Sequence, residues 1–356
     1  MSKIRVISAI SFAVFALFVL QVRSAEALTL SPVRIEVSAD PGQVVNTELK
    51  LYNDQTVTKT FYVSFENFEA LGESGTPSFT SAEEGLATWI YTTQEVILNP
   101  NESKTVPVTI DVPASADPGG YFSAIFWSNE PPSTDTGQVS IGAKVGTLVL
   151  LRVNGDIDEV GGIVEFDTVD GKKFFTSLPI DMFYRFQNGG NDRIKPEGNI
   201  VIKHMFGFTK AIIPANIVDG NVLPSQIRKF EASWQSKNGL PGEAGNLSFW
   251  QNVKNEWRNF AFGYYKAKLS LTYGGDNSLR SDADFGFWII SWHLILVIIV
   301  LAFIIGFLYK KLNKRHKDLL IKEMKEELRK EIQEETHQDN PTQPEQGQSS
   351  PGTDAS

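Results

Sequence analysis

The sequence predicts an all-β ectodomain of two tandem Ig-like β-sandwiches, followed by one transmembrane α-helix and a partly helical, partly disordered tail. Three observations predict it. Apolar and polar residues alternate with a period of two over most of residues 28–273, the pattern of half-buried strands. Turn residues interrupt that alternation at short intervals, and no long helical period intervenes. One late run, Phe285 to Tyr309, contains no Asp, Glu, Lys or Arg. At about 1.5 Å per residue its roughly 25 residues exceed a hydrocarbon core of about 30 Å.

Taken in order, residues 1–27 read as a signal peptide. Lys3 and Arg5 form a basic start, Ala9 to Leu20 an apolar stretch of about 12 residues, and Ala25-Glu26-Ala27 an A-x-A cleavage site. Residues 28–153 form the first sandwich. Val45, Thr47, Leu49 and Leu51 share one face of a strand, as do Phe61, Val63 and Phe65, and Val106, Val108, Ile110 and Val112. Pro107 points to an edge position or a bulge, because proline cannot donate to a ladder. Asp40-Pro41-Gly42, Asn99-Pro100-Asn101 and Asp117-Pro118-Gly119-Gly120 are turns. Gly142 to Val153 is the last strand, and Asn154-Gly155-Asp156 marks the boundary.

Residues 154–284 form the second sandwich, with strands at Ile163–Phe166, Ile180–Gln187, Gly198–His204, Ile227–Trp234 and Tyr264–Tyr273. In the last of these Tyr265, Ala267, Leu269, Leu271 and Tyr273 face one way and lysines and hydroxyls the other. Asn188-Gly189-Gly190-Asn191 reads as a turn. Residues 285–309 are the membrane helix. Trp288, Trp292 and Tyr309 near its ends are interfacial anchors, and the basic residues that follow, beginning with Lys310 and Lys311, place the C-terminus in the cytoplasm. Those cations are also candidates for lipid headgroups, although a topology signal alone explains them. His293 lies inside the run; it reads as an interfacial histidine, with a functional role as the rival. Residues 310–337 carry a weak helical stripe, and 338–356, rich in Pro, Gln, Ser and Gly, read as disordered.

Composition narrows the function. The chain has no cysteine, which removes disulfides, thiolate nucleophiles and Cys-based zinc sites and suits a bacterial exported protein. Residues 28–284 hold 21 Lys+Arg against 31 Asp+Glu, an acidic balance that argues against nucleic acid. His204 is the lone histidine before the apolar run and falls in an alternating strand. No Gly-rich phosphate loop, G-x-S-x-G elbow or EF-hand spacing is present. The reading is therefore a non-enzyme without cofactor or metal. A carboxylate-pair glycoside hydrolase is the remote alternative, since 31 acids single out no pair. Asp276, Asp282 and Asp284 read as a solvated linker before the membrane.

Two stretches break the β pattern. Glu69 to Gln94 is a long excursion ending in Trp89-Ile90-Tyr91, and loops of this length are usually functional or flexible. Leu247 to Gly263 places Phe249, Val253, Trp257 and Phe260 at helical spacing, with Trp250 beside them. Trp89, Tyr91, Trp250 and Trp257 are accordingly the candidate binding residues. The second stretch precedes what looks like the final strand, which puts it at the membrane-distal end of the second sandwich. It is expected either to cap the core there or to wedge between the two domains.

The segments LTLSPVRIEVSADPGQVVNTELKLYN (28–53), GESGTPSF (72–79), TWI (88–90) and LNPNESKTVPVTIDVPASADPGGYFSAIFW (98–127) resemble the first Ig-like domain of WxL-interacting proteins. NVLPSQIRKFEASW (221–234) and YYKAKLSLTYGG (264–275) are similar to their second. The order of signal, two domains, one span and basic tail matches as well, so the resemblance covers about residues 28–315. It implies peptidoglycan, a cell-wall polymer, as the ligand of the first domain and another surface protein as partner of the second, with membrane lipid around the anchor. The N-terminal pattern is also similar to periplasmic pilus chaperones, which lack a C-terminal span. That implies a second reading, a strand-pairing chaperone for surface or pilus subunits.

Overall fold

A computed structural model describes residues 28–131, 144–235 and 248–338, with side chains as far as residue 333. The signal-peptide reading and the disordered-tail reading fall outside the described residues. Those described form two compact units. The first comprises residues 28–235 and 262–290 and holds both sandwiches; the second comprises residues 248–261 and 291–338.

The first sandwich pairs β1 (Leu28–Ser31), β3 (Val44–Asn53), β8 (Ser103–Asp111) and β6 (Ile90–Thr92) in one sheet. The facing sheet runs β2 (Arg34–Ala39), β10 (Lys144–Val153), β9 (Gly119–Ser128), β4 (Lys59–Leu71) and β5 (Thr76–Thr80), with β7 (Glu95–Leu98) also on β4. The chain changes sheets between β1 and β2, and β2 lies parallel to β10 from Arg34↔Leu148 to Ala39↔Val153. The predicted alternation is what buries the core: Leu49, Leu51, Phe61, Val63, Val106, Val108, Ile110 and Val112 are buried together with Trp127. Pro107 sits in β8, an internal strand, one residue past the short pairing with β6, where the Thr92 hydroxyl bonds its carbonyl at 2.6 Å.

The second sandwich packs β11 (Gly161–Thr168), β13 (Ile180–Asn188) and β16 (Ile227–Trp234) against a five-stranded sheet. That sheet is ordered β12 (Phe174–Phe175), β18 (Leu279–Ile289), β17 (Gly263–Tyr273), β14 (Glu197–His204) and β15 (Thr209–Pro214). Tyr184 stacks on Phe230 at 4.9 Å, and Tyr265, Ala267, Leu269 and Leu271 are buried on the inner face as the alternation required.

β18 corrects two expectations. The apolar run does not begin a helix at Phe285, and Asp282 and Asp284 are not in a linker. Residues 279–289 form an eleven-residue strand, with Phe285, Phe287 and Ile289 buried and Asp284 bonded to Lys266 at 2.9 Å. Alternation within an uncharged stretch looks like continuous hydrophobicity, which hides the strand. Trp288 is consequently a strand residue packed on Tyr264 at 5.5 Å, not a helix-end anchor. The α-helices among the described residues are α1 (Phe249–Arg258) and α2 (Trp292–Gln338). α2 is the one helix among the described residues long and apolar enough to cross a membrane. It continues without a break through the stretch read as a separate helix at 310–337.

Each sandwich ends a core strand on a buried asparagine. The Asn53 amide donates to the carbonyls of Val57, Leu98 and Asn99 at 3.0–3.1 Å. Asn188 donates to Asp192 at 2.7 Å and Val222 at 2.9 Å. Replacing Asn53 by Leu keeps the volume but removes the amide that bonds three carbonyls, of which that of Asn99 keeps the Glu102 N–H, so chemical denaturation of the full chain should register a loss of about 1–3 kcal/mol.

Candidate functional site

The most constrained polar region of the first unit is the joint between its two sandwiches. The Pro118-Gly119-Gly120 turn meets the Asn188–Asp192 turn of the second sandwich. The Gly120 N–H donates to the Asn191 carbonyl at 2.9 Å, and the Asn191 amide donates to the Pro118 carbonyl at 3.2 Å. Only glycine permits this approach. A Cβ on Gly119 would stand 2.8 Å from the Asn191 carbonyl, and its φ of +146° disfavours any side chain. A Cβ on Gly120 would stand 2.7 Å from an Asp192 carboxylate oxygen.

Charged groups close the joint on one side. The Arg34 guanidinium holds Asp219 Oδ2 at 2.6 Å and Glu36 at 2.8 Å. Asn221 donates to Glu36 at 3.1 Å, and Arg152 lies between Glu159 at 3.5 Å and Asp192 at 3.4 Å. Glu36, Arg152, Glu159, Asp192 and Asn221, with Arg193 and Lys195, line a cleft of about 260 Å³. Each acid in it has a cationic partner, including Glu197 with Lys195 at 3.7 Å. They therefore act as structural counter-ions; no free acid and base face each other across the cleft. Among the described residues no group of His, Cys, Asp and Glu is arranged to hold a metal ion.

A second contact comes from the Glu69–Gln94 excursion. It is not a loose loop: β4 and β5 form a hairpin, and its tip reaches the second sandwich. Glu73 takes a two-pronged bond from Arg185, with Nε at 2.8 Å from Oε2, and its carbonyl accepts the Lys229 N–H at 2.8 Å. Gly75 admits the Arg228 guanidinium, which would be 2.2 Å from a Cβ there. The excursion is a strut between domains.

The arginine hydrogen bond holds the Glu73 carboxyl below the ordinary carboxylate range. Lys195 first, then Arg34, does the same to Asp219. Burial pushes the Asp192 carboxyl up, against the pull of Arg193 and Arg152. A depressed folded-state pKa contributes stability above the unfolded value that is lost as pH falls through the folded value. Asp192 has the opposite sign: its contribution is present at low pH and lost as pH rises through its raised value.

In the second unit α1 is tied to the start of α2. Ser248 caps α1 and forms a capping box with Gln251. Glu256, buried on α1, reaches His293 Nδ1 at 2.5 Å with one oxygen and accepts the Leu294 N–H at 2.8 Å with the other. That N–H is one of the unpaired donors of the first helical turn, and a carboxylate there also faces the positive end of the helix dipole. Ser291 donates to the Ala261 carbonyl at 3.1 Å, and the Phe249 ring lies 5.4 Å from His293.

The four candidate binding residues separate. Trp89 packs on Tyr121 at 4.7 Å against the first core, whereas Tyr91 on β6 is exposed. Trp250 and Trp257 are both exposed on α1. The wedge expectation is overturned by register: Gly263 pairs with Ile289, so the chain from α1 enters the sheet at the end where the chain to α2 leaves it. Residues 248–261 belong to the same compact unit as α2. Trp292 opens α2, and Tyr309, Lys310 and Lys311 follow on its exposed surface. His204 is a strand histidine in β14, bonded to the Phe262 carbonyl at 3.1 Å. Sequence reasoning missed Glu73, Asn191, Asp192 and Glu256; the glycine doublets at 119–120 and 189–190 were the one available signal of close backbone approach.

No protein-family model matches the sequence, and no curated protein matches it. Among solved structures, the chain is similar to the class 5 fimbriae chaperone CfaA at 12% identity, covering 73% of this chain and 99% of that one, with a TM-score of 0.36. The E. coli chaperone DraB is similar at 12% identity, 74% and 97% coverage and a TM-score of 0.31. The Pseudomonas aeruginosa CupB2 chaperone is similar at 8%, 73% and 100%, with a TM-score of 0.32.

Two tests follow. Gly119→Ala should loosen the joint, splitting one calorimetric unfolding transition of the full chain into two. Acidification below about pH 4, the ordinary carboxylate range, should protonate Glu73 and Asp219 as their depressed values are crossed. The hydrogen-exchange protection factor at the Lys229 N–H should then fall before that of core amides.

Proposed function

We propose that this chain is a membrane-anchored, non-enzymatic surface protein that holds a partner on a pre-set two-domain platform. The observation that carries the reading is the double fastening of the two sandwiches, by the glycine joint and by the Glu73 strut. Surfaces fixed in advance lose less freedom on binding, which favours recognition over a hinged, closing site. The apolar helix that begins two residues after Ile290 supplies the anchor, with its basic flank in the cytoplasm. In line with the resemblance to WxL-interacting proteins, the first sandwich contacts cell-wall polymer and the second a surface protein.

One observation favours the strand-pairing alternative. Among the described residues, β2 covers the edge of β10 only from Leu148 onward, and Lys144–Gly146 pair with β9 alone. An open edge of this kind can accept an extended segment from another chain.

The discriminating experiment uses the full chain in lipid nanodiscs, incubated with isolated cell wall, with crosslinking from intact membranes in parallel. Retention on cell wall supports the platform reading, and a crosslink at residues 144–146 to an extended peptide supports strand pairing. No retention and no crosslinked protein partner would end both.

A further inference from the structure

The exposed tryptophans of α1 have no role in the platform just described, and their placement assigns them one. His293 is the second residue of α2, so the Glu256 bond fixes α1 at the level of that helix's first turn. The apolar stretch from Trp292 to Tyr309 is about 27 Å long at about 1.5 Å per residue, close to the roughly 30 Å of a hydrocarbon core. If Tyr309, Lys310 and Lys311 mark one water interface, Trp292 and the helix beside it lie at the other.

α1 is built for that depth. Glu256, its one acid, is turned inward to His293. Trp250 and Trp257, seven residues apart and hence on one face, are 70% and 71% exposed. Phe260, just beyond the helix, is 67% exposed. Lys254 and Arg258 flank the tryptophans and are exposed as well. Aromatic rings with adjoining cations are the composition of helices lying in the plane of a membrane surface.

We propose that α1 is a membrane-surface foot. Trp250, Trp257 and Phe260 rest at the headgroup–acyl boundary of the bilayer crossed by α2, with Lys254 and Arg258 toward lipid phosphates. The Glu256–His293 bond is the ankle that holds the foot to the leg. This inference rests on the membrane-anchor reading, and its occupant is lipid, not a second protein.

The absence of cysteine makes the test direct. Single variants Trp250→Cys, Trp257→Cys, Ile304→Cys and Lys50→Cys of the full chain are spin-labelled in phosphatidylcholine–phosphatidylglycerol nanodiscs. Collision with oxygen, which enriches in lipid, is compared with collision with a water-soluble nickel chelate. Labels at 250 and 257 should show an oxygen-to-nickel ratio several-fold above that at Lys50 and below that at Ile304. A ratio equal to Lys50 would put the foot in water and overturn the proposal while leaving the anchor standing. Low access to both reagents would mean a protein covers it, which also overturns it. If Ile304 matches Lys50, the anchor reading itself fails. A measurement that keeps the native core uses lipids brominated near the headgroup: quenching of tryptophan fluorescence should fall in Trp250→Phe/Trp257→Phe, and unchanged quenching contradicts the foot.

Discussion

The pairing of Gly263–Tyr273 with Leu279–Ile289 governs how the two units are connected. Eleven antiparallel pairs run from Gly263↔Ile289 to Tyr273↔Leu279. Because the register is that of a hairpin, the segment feeding β17 and the segment leaving β18 share one end of the sheet. That arrangement lets a carboxylate on α1 reach the first turn of α2. A shift of one residue would turn Phe285, Phe287 and Ile289 out of the core and bring Gly286 and Trp288 in, so burial fixes the register firmly.

The joint between the sandwiches follows a different logic. Its contacts are mostly charged and part-exposed, and pairs of that kind contribute little individually in water. What gives them effect is the close approach of Gly119 and Gly120 to Asn191 and Asp192, which fixes the geometry in which the charges meet. Asp192 is nearly buried, and burial of a carboxylate is costly unless Arg152 and Arg193 remain beside it. Opening the joint removes Arg152 from Asp192 and leaves it with Arg193, its neighbour in the chain, as the remaining cation.

Much of this architecture was legible in the residues. The inner faces of β3, β8 and β17 follow from alternation alone, because burial on one face of a sheet demands it. The location of α1 was not legible, and the cause is specific. Phe285-Gly286-Phe287-Trp288-Ile289 carries no charge, so its alternation merges with the helix that follows. With β18 unseen, Tyr264–Tyr273 reads as the last strand before the membrane, whereas the register sets its first residue, Gly263, opposite Ile289, where the chain leaves the sheet. The excursion at 69–94 shows a second limit. Glu73 and Arg185 are far apart in sequence, and neither has a local feature that announces the other. The acid–histidine pair between α1 and α2 is hidden for the same reason: Glu256 sits among exposed residues on its helix, and only the tertiary contact buries it.

The direct passage from β18 into α2 also has a mechanical side. A pull that arrives along β18 acts lengthwise on the strand, while the bonds joining it to β17 run across it. Such a load is shared by all eleven pairs of the ladder at once, and β18 must slide past β17 rather than peel from it before the two part.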